Sequence, residues 1–400
     1  MPKILRSLIA LALLISAQPA LSQTDAEAEA EAEAEASRQE AFRQGMADIV
    51  DGLNTGSYFR FELAIDRDDL IERIFGLRLI DGKIKRDFRD DMKEFDKWSN
   101  FVESLLADEA EDGMRATLLL VESRGDRGRA VVRYDMSFFR ANYHEYDLRL
   151  NEDGRLVIID WNDYYWGHKF TDSVGMMLVQ IKPNENSARK LVGIPNIREL
   201  QIFQIMEILK ATRDRDFDRF NQIMEAMDEK LRSQRTIIKL GLDTSRLARK
   251  RRVQRDMLTL IDEHFPGDPL FAQALMDLYL PAERYQDAID TLAALQKHLR
   301  VDDALLNARV SSILLAMGQI EEAHALAMKS VEQERDLELG WWSVFRARVT
   351  AEDYGSAIEA LEVLEDDFDR SLGPDALSKD PMFRPLMLSA EYRTWFEESD

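Results

Sequence analysis

Residues 285–294 read YQDAIDTLAA, a helical run in which the small residue Ala288 follows an aromatic by three places. Two later stretches, QIEEAHALA and DYGSAIEAL, put Ala323 and Ala357 in the same position, 35 and 34 residues further along. A small residue recurring at that period marks the close crossing of two helices in a repeated hairpin, each hairpin burying its faces only against the next. Tyr285, Ile320 and Tyr354 take the apolar place three before each alanine, and Phe220 lies two periods upstream of Ala288 in DFDRFNQIMEAM. The carboxyl-terminal half is therefore expected to be all helix, with repeats over 266–370 and diverged hairpins over 197–265. The closing segment 371–400 carries Met382, Phe383, Leu386, Tyr392, Trp395 and Phe396, which would cover the exposed end of the stack.

This pattern resembles tetratricopeptide repeats. Gly318 matches the turn glycine of the middle repeat and Trp341 the early aromatic of the third, whereas Glu283 and Glu352 stand where the other two would carry that glycine. The resemblance implies a solenoid whose first helices line a concave surface, and it places Gln273, Asp277, Ser312, Trp342 and Arg346 there. Trp342 would be a rigid anchor, and Arg346, one turn later, could pair with a carboxylate of an extended or helical peptide. The alternative is that Trp342 packs between helices beside Trp341.

Upstream, the proline, glycine and asparagine of KPNENSARKLVGIPN (182–196) read as a linker. Before it, residues 38–181 change from helical to strand patterning. Phe88, Met92, Phe95, Trp98, Phe101 and Leu105 form one helical core stripe, and after Gly113 come MRATLLLVES and GRAVVRYDMSFF, separated by GDRG. A second hairpin, YHEYDLRLNEDGRLVIIDW, turns at Asn151–Gly154. Helices followed by about four antiparallel strands predict an α+β domain with one sheet face covered by helices.

The hairpin from Tyr143 to Trp161 resembles the cone-shaped fold of the nuclear transport factor 2 superfamily. That superfamily includes isomerases and cyclases as well as noncatalytic binding domains, so the resemblance implies a pocket without fixing a function. Candidate pocket residues are His144, Tyr146, Asp160 and Tyr164. Strand parity groups His144 with Tyr146, Leu148 and Leu150, and Asp160 with Leu156, Ile158 and Tyr164 on the neighbouring strand. A histidine and an aspartate sharing an apolar cavity could shift one another's pKa and abstract a proton. The alternative, adopted here, is that both are hydrogen-bonded inside a sheet core. WNDYYWGHKF is expected to seal that core and dock the next helix, with His168 exposed in a loop.

Composition bounds the rest. With 53 basic and 75 acidic residues the formal charge is -22, which disfavours general nucleic-acid binding, and with no cysteine there are no thiolate or disulfide sites. No histidine spacing points to a metal and no motif to a cofactor. Lys3 and Arg6 precede LIALALLIS and the small-residue site Ala20-Leu21-Ser22, so residues 1–22 read as a cleaved secretory signal and the chain as periplasmic or extracellular. Residues 23–37, DAEAEAEAEAEAS with its flanks, read as an acidic tether, either a frayed helix or an extended spacer.

Residues 230–255 hold ten lysines and arginines against one acid, whereas residues 266–400 hold 12 basic and 27 acidic residues. The basic segment is expected to be a solvated helix face partly paired with the acidic repeats or tether. The alternative is contact of Arg246, Arg249, Lys250, Arg251, Arg252 and Arg255 with anionic lipid or an acidic partner. The expected function is a noncatalytic scaffold or adaptor binding protein partners in the bacterial envelope; the alternative is a small-molecule binder or enzyme of the cone fold.

Overall fold

The computed structural model describes residues 19–77, 80–104, 115–136, 140–192, 197–247 and 250–399. The leader up to residue 18, Leu105 of the core stripe and Arg249 of the basic segment lie outside the described residues.

Helix α1 spans Pro19–Asn54. Every residue from 28 to 34 is exposed, so the acidic run is the bare beginning of a helix, continuous with a half that is firmly packed. There Phe42, Met46, Ile49, Val50 and Leu53 recur at helical spacing and are buried on the sheet. Gly128 permits the approach: a Cβ at that position would meet the Phe42 ring at 2.8 Å. Four short helices follow, α2 (Phe59–Ala64), α3 (Arg67–Ile74), α4 (Gly82–Asp91) and α5 (Phe95–Ser104). The expected single core stripe is broken between α4 and α5. The turn at 92–94 rephases the second helix, so Trp98 and Met92 are buried but Phe95 is 71% exposed.

The sheet has five antiparallel strands in the order β1 (Arg115–Arg124), β2 (Arg127–Met136), β3 (Arg140–Leu150), β4 (Leu156–Asp163) and β5 (His168–Lys169). Gly125 and Gly154, at φ +62° and +72°, supply the left-handed turn residues of the two expected hairpins. The fifth strand was not foreseen. His144, Tyr146 and Leu148 of β3 face the amino-terminal helices, with Phe61 of α2 set edge-on to Tyr146 and Trp161. Tyr143 and Glu145 point the opposite way, toward the carboxyl-terminal helices. The sheet is thus covered on both faces, not on one.

After α6 (Phe170–Ile181), helix α7 (Glu185–Val192) occupies most of the segment read as a linker. Then come paired helices: α8 (Glu199–Arg213) with α9 (Phe217–Ala226), α10 (Arg235–Leu247) with α11 (Arg251–His264), and α12 (Ala272–Tyr279) with α13 (Tyr285–Leu299). Two further pairs are α14 (Ala304–Ala316) with α15 (Ile320–Gln333) and α16 (Glu338–Thr350) with α17 (Tyr354–Asp366). Ala288, Ala323 and Ala357 are all fully buried on second helices.

Four pairs turn in the same way. Arg215, Glu283, Gly318 and Glu352, at φ between +54° and +77°, each lie two residues before the second helix. A left-handed residue ends a helix by satisfying its last carbonyls, so the turn forms at Arg215, Glu283 and Glu352 as it does at Gly318. One apolar core runs from Phe42 to Leu339 without a break between sheet and helices. A second joins the last pair to the closing segment, with Phe345 stacked on Phe383 at 5.0 Å and α18 (Ala390–Ser399) adding Tyr392. Among the described residues no helix is long and apolar enough to cross a membrane.

Candidate functional site

The four residues assigned to a cone pocket do not converge. A β-bulge in β4 is the cause: Asp147 pairs with Asp160 but Leu148 with Ile158, leaving Ile159 as an extra residue. An extra residue reverses side-chain parity beyond it, so Asp160 lies on the face opposite His144, and Asp163 takes its place. His144 Nε2 is 3.3 Å from Asp163 Oδ2, and its Nδ1 is 3.1 Å from the Tyr146 hydroxyl, itself 2.5 Å from that of Tyr134. Asn142 Nδ2 donates to Asp163 Oδ1 at 3.0 Å, and the backbone N–H groups of Tyr165 and Trp166 donate to the same oxygen.

Burial opposes ionisation of Asp163, but these donors outweigh it and hold its pKa below the usual carboxylate value. The group is a buried, hydrogen-bonded polar cluster. Asp160 instead accepts from Thr171 Oγ1 at 2.6 Å and from the Trp161 N–H, with burial raising its pKa. Tyr164 donates to Glu145 at 2.7 Å.

The opposite sheet face carries an ionic seam that sequence reasoning missed. Arg133, fully buried on β2, donates to Asp303 at 2.5 Å, to Asp135 at 2.7 Å and to Glu334 at 2.7 Å. Burial disfavours its charge, yet Asp303, Asp135 and Glu334 together hold its pKa above the ordinary arginine value. Asp303 also accepts from the Tyr143 hydroxyl at 2.5 Å and caps α14 through the Leu306 N–H. Around this centre Arg129 pairs with Glu145 and reaches the carbonyl of Leu299, Arg300 pairs with Glu122, and Arg115 pairs with Asp336. The sequence signal was faint: charges on alternate residues of β2 are what a solvated strand face would also show.

A third cluster lies where β5 meets α10. His168 is not an exposed loop residue; it sits half-buried on β5, its Nε2 3.2 Å from Ser173 Oγ and its Nδ1 buried without a partner. Burial, then the charge of Lys239, push its pKa down to about 3. Lys239 and Asp243 stand one turn apart on α10, lowered to about 8 and raised to about 6 chiefly by burial. Arg246 and Asp163 also face Asp243. Because its folded pKa lies above the unfolded value, the carboxyl costs nothing below about pH 4, and its cost grows until it is fully ionised above about pH 6. Asp243→Asn should therefore match wild type near pH 4 and gain about 1–2 kcal/mol by pH 7.5, after allowance for the attraction to Lys239 that is lost. Urea denaturation at the two pH values measures the difference; equal gain at both would discount the charge.

The expected groove residues lie on the first helices α12, α14 and α16, in local pairs. Gln273 accepts from Arg309 at 2.9 Å while its Nε2 is buried without a partner, and Asp277 accepts from Gln254 of α11. Ser312 bonds back to Ala308 and lies 3.5 Å from Ser343. Trp342, half-buried, donates to Glu338 at 3.0 Å and stands edge-on to Phe345, with the Arg346 guanidinium 5.8 Å from its ring. Arg346 Nε is buried without an acceptor. In the basic segment, Arg246 is not a surface cation: it donates to the Tyr165 carbonyl at 2.7 Å and lies over the Tyr165 ring. Lys250, Arg251, Arg252 and Arg255 are exposed and pair with neither the acidic helices nor the acidic run, whereas Arg235 of the same segment pairs with Asp268, part of the pairing expected.

This geometry defines an α+β region clamped through a polar seam to a largely helical region of paired helices. No protein-family model matches the chain, and no curated protein matches it.

Proposed function

We propose that the chain is a noncatalytic interaction scaffold of the bacterial envelope, binding protein partners through its paired helices in the manner of tetratricopeptide repeats. The sheet region, which resembles the nuclear transport factor 2 superfamily, serves in this reading as a fixed support. The observation that carries it is the half-exposed Trp342 ring beside Arg346, whose Nε lacks an acceptor on the first helix of the last pair. A large aromatic next to a guanidinium with one unpartnered N–H suits a peptide that supplies an apolar side chain and a carboxylate or carbonyl oxygen.

Trp342→Ala and Arg346→Ala, made separately, test it. In-cell crosslinking of the tagged protein should lose its captured partners in both variants, with melting temperatures within a few degrees of wild type. Retained partners with a marked fall in stability would assign the two residues to packing instead. The envelope location predicts a mature chain beginning near Gln23. Intact mass of the native protein reads this directly, and a retained Met1 would remove the location from the proposal.

A further inference from the structure

Two surfaces of opposite charge are left without counter-ions. At the start of α11, Lys250, Arg251, Arg252 and Arg255 are exposed, the first turn contains no acid, and the Lys250 N-cap makes no side-chain capping bond. Cations at a helix amino terminus face the positive end of the helix dipole, so the arrangement is unfavourable until an anion approaches. In α1, Glu29, Glu31 and Glu33 are exposed and bond to nothing, whereas Glu35 is already held by Arg38 and by the Gly125 N–H. Glu29 and Glu33 lie four apart and repel, and over the exposed residues 28–34 the helix carries only alanines beside its glutamates. Each surface carries what the other lacks.

We propose that the basic turn at the start of α11 receives the acidic first half of α1 from a second copy of the chain. The contact is heterologous, head to tail, since each copy offers one surface of each sign and the two are unpaired within one chain. It leaves the Trp342–Arg346 site untouched and does not depend on the function proposed for it. Being formed by exposed charges, the association is weak and screened by salt.

Sedimentation velocity of the full chain tests it. Wild type should associate with rising concentration at roughly 50 mM salt and be monomeric at about 0.5 M, where the screening length falls to a few ångströms. The triple variant R251E/R252E/R255E and the triple variant E29K/E31K/E33K should each be monomeric at low salt, while their equimolar mixture associates, because each then offers the charge the other has lost. The milder E29Q/E31Q/E33Q should lose association as well. A wild type that stays monomeric at low salt, association unchanged in either triple variant, or a mixture that fails to associate overturns the proposal. So does a monomeric wild type that floats with phosphatidylserine vesicles through the same arginines, which would give the patch to lipid.

Discussion

Replacing Arg133 by alanine should cost about 3–5 kcal/mol, because it leaves buried Asp303 and half-buried Asp135 without their cation and Glu334 with Arg115 alone. Asp303→Ala should cost a similar amount through three losses at once: the Arg133 partner, the Tyr143 hydrogen bond and the cap of α14. Because Asp135 and Glu334 still hold Arg133 when Asp303 is gone, the two losses are not additive. The double variant Arg133→Ala/Asp303→Ala should cost less than the sum of the two single losses, since the contact between the two residues is then lost only once. Urea denaturation of all four proteins closes the cycle. Additive single effects would mean that the two residues do not act as a pair. The larger consequence is structural: Arg133 belongs to the sheet and Asp303 caps α14, so the seam joins the helical half to the sheet.

His144→Ala should cost about 2–4 kcal/mol, by opening a cavity and by leaving Asp163 and the Tyr146 hydroxyl short of a partner in the core. The pH dependence distinguishes the polar contribution from the cavity. Asp163 has a folded pKa below the ordinary one, so the stability it contributes is present above about pH 4 and is lost as pH falls through the folded value. The gap between wild type and variant should therefore narrow below about pH 4, as read by thermal melts across that range. A gap independent of pH would reduce His144 to a space-filling residue. Partner capture through Trp342 and Arg346 should survive in the variant under conditions where it is folded, since the groups that hold His144, Asp163 and the Tyr146 hydroxyl, belong to the sheet and not to α16.

Much of the fold was legible because its causes are local. Turn glycines at 125 and 154 and alternating strands fix the two hairpins, since left-handed backbone and period-two patterning leave few other solutions. The alanines at 288, 323 and 357 mark helix crossings too close for a larger side chain, so spacing alone announces paired helices. The candidate site was less legible. The groove positions fall on first helices as expected, and Glu338 and Phe345 lie at helical spacing from Trp342, but the pairing of Gln273 with Arg309 depends on a neighbour that spacing does not specify.

The sequence by itself determined the α+β region, the helical half with its period, and the burial of His144. Only the tertiary structure decided which aspartate His144 meets, because one extra residue in β4 reverses parity for everything after it and has no compositional signature. It also decided what covers the second sheet face. A charged strand face reads as solvent-exposed unless its partners are known, and those partners, Asp303 and Glu334, lie 170 and 201 residues from Arg133. Pairing at that range is set by how the whole chain closes on itself: burial raises the cost of every unpaired charge, and only the closed fold brings the compensating ones within reach.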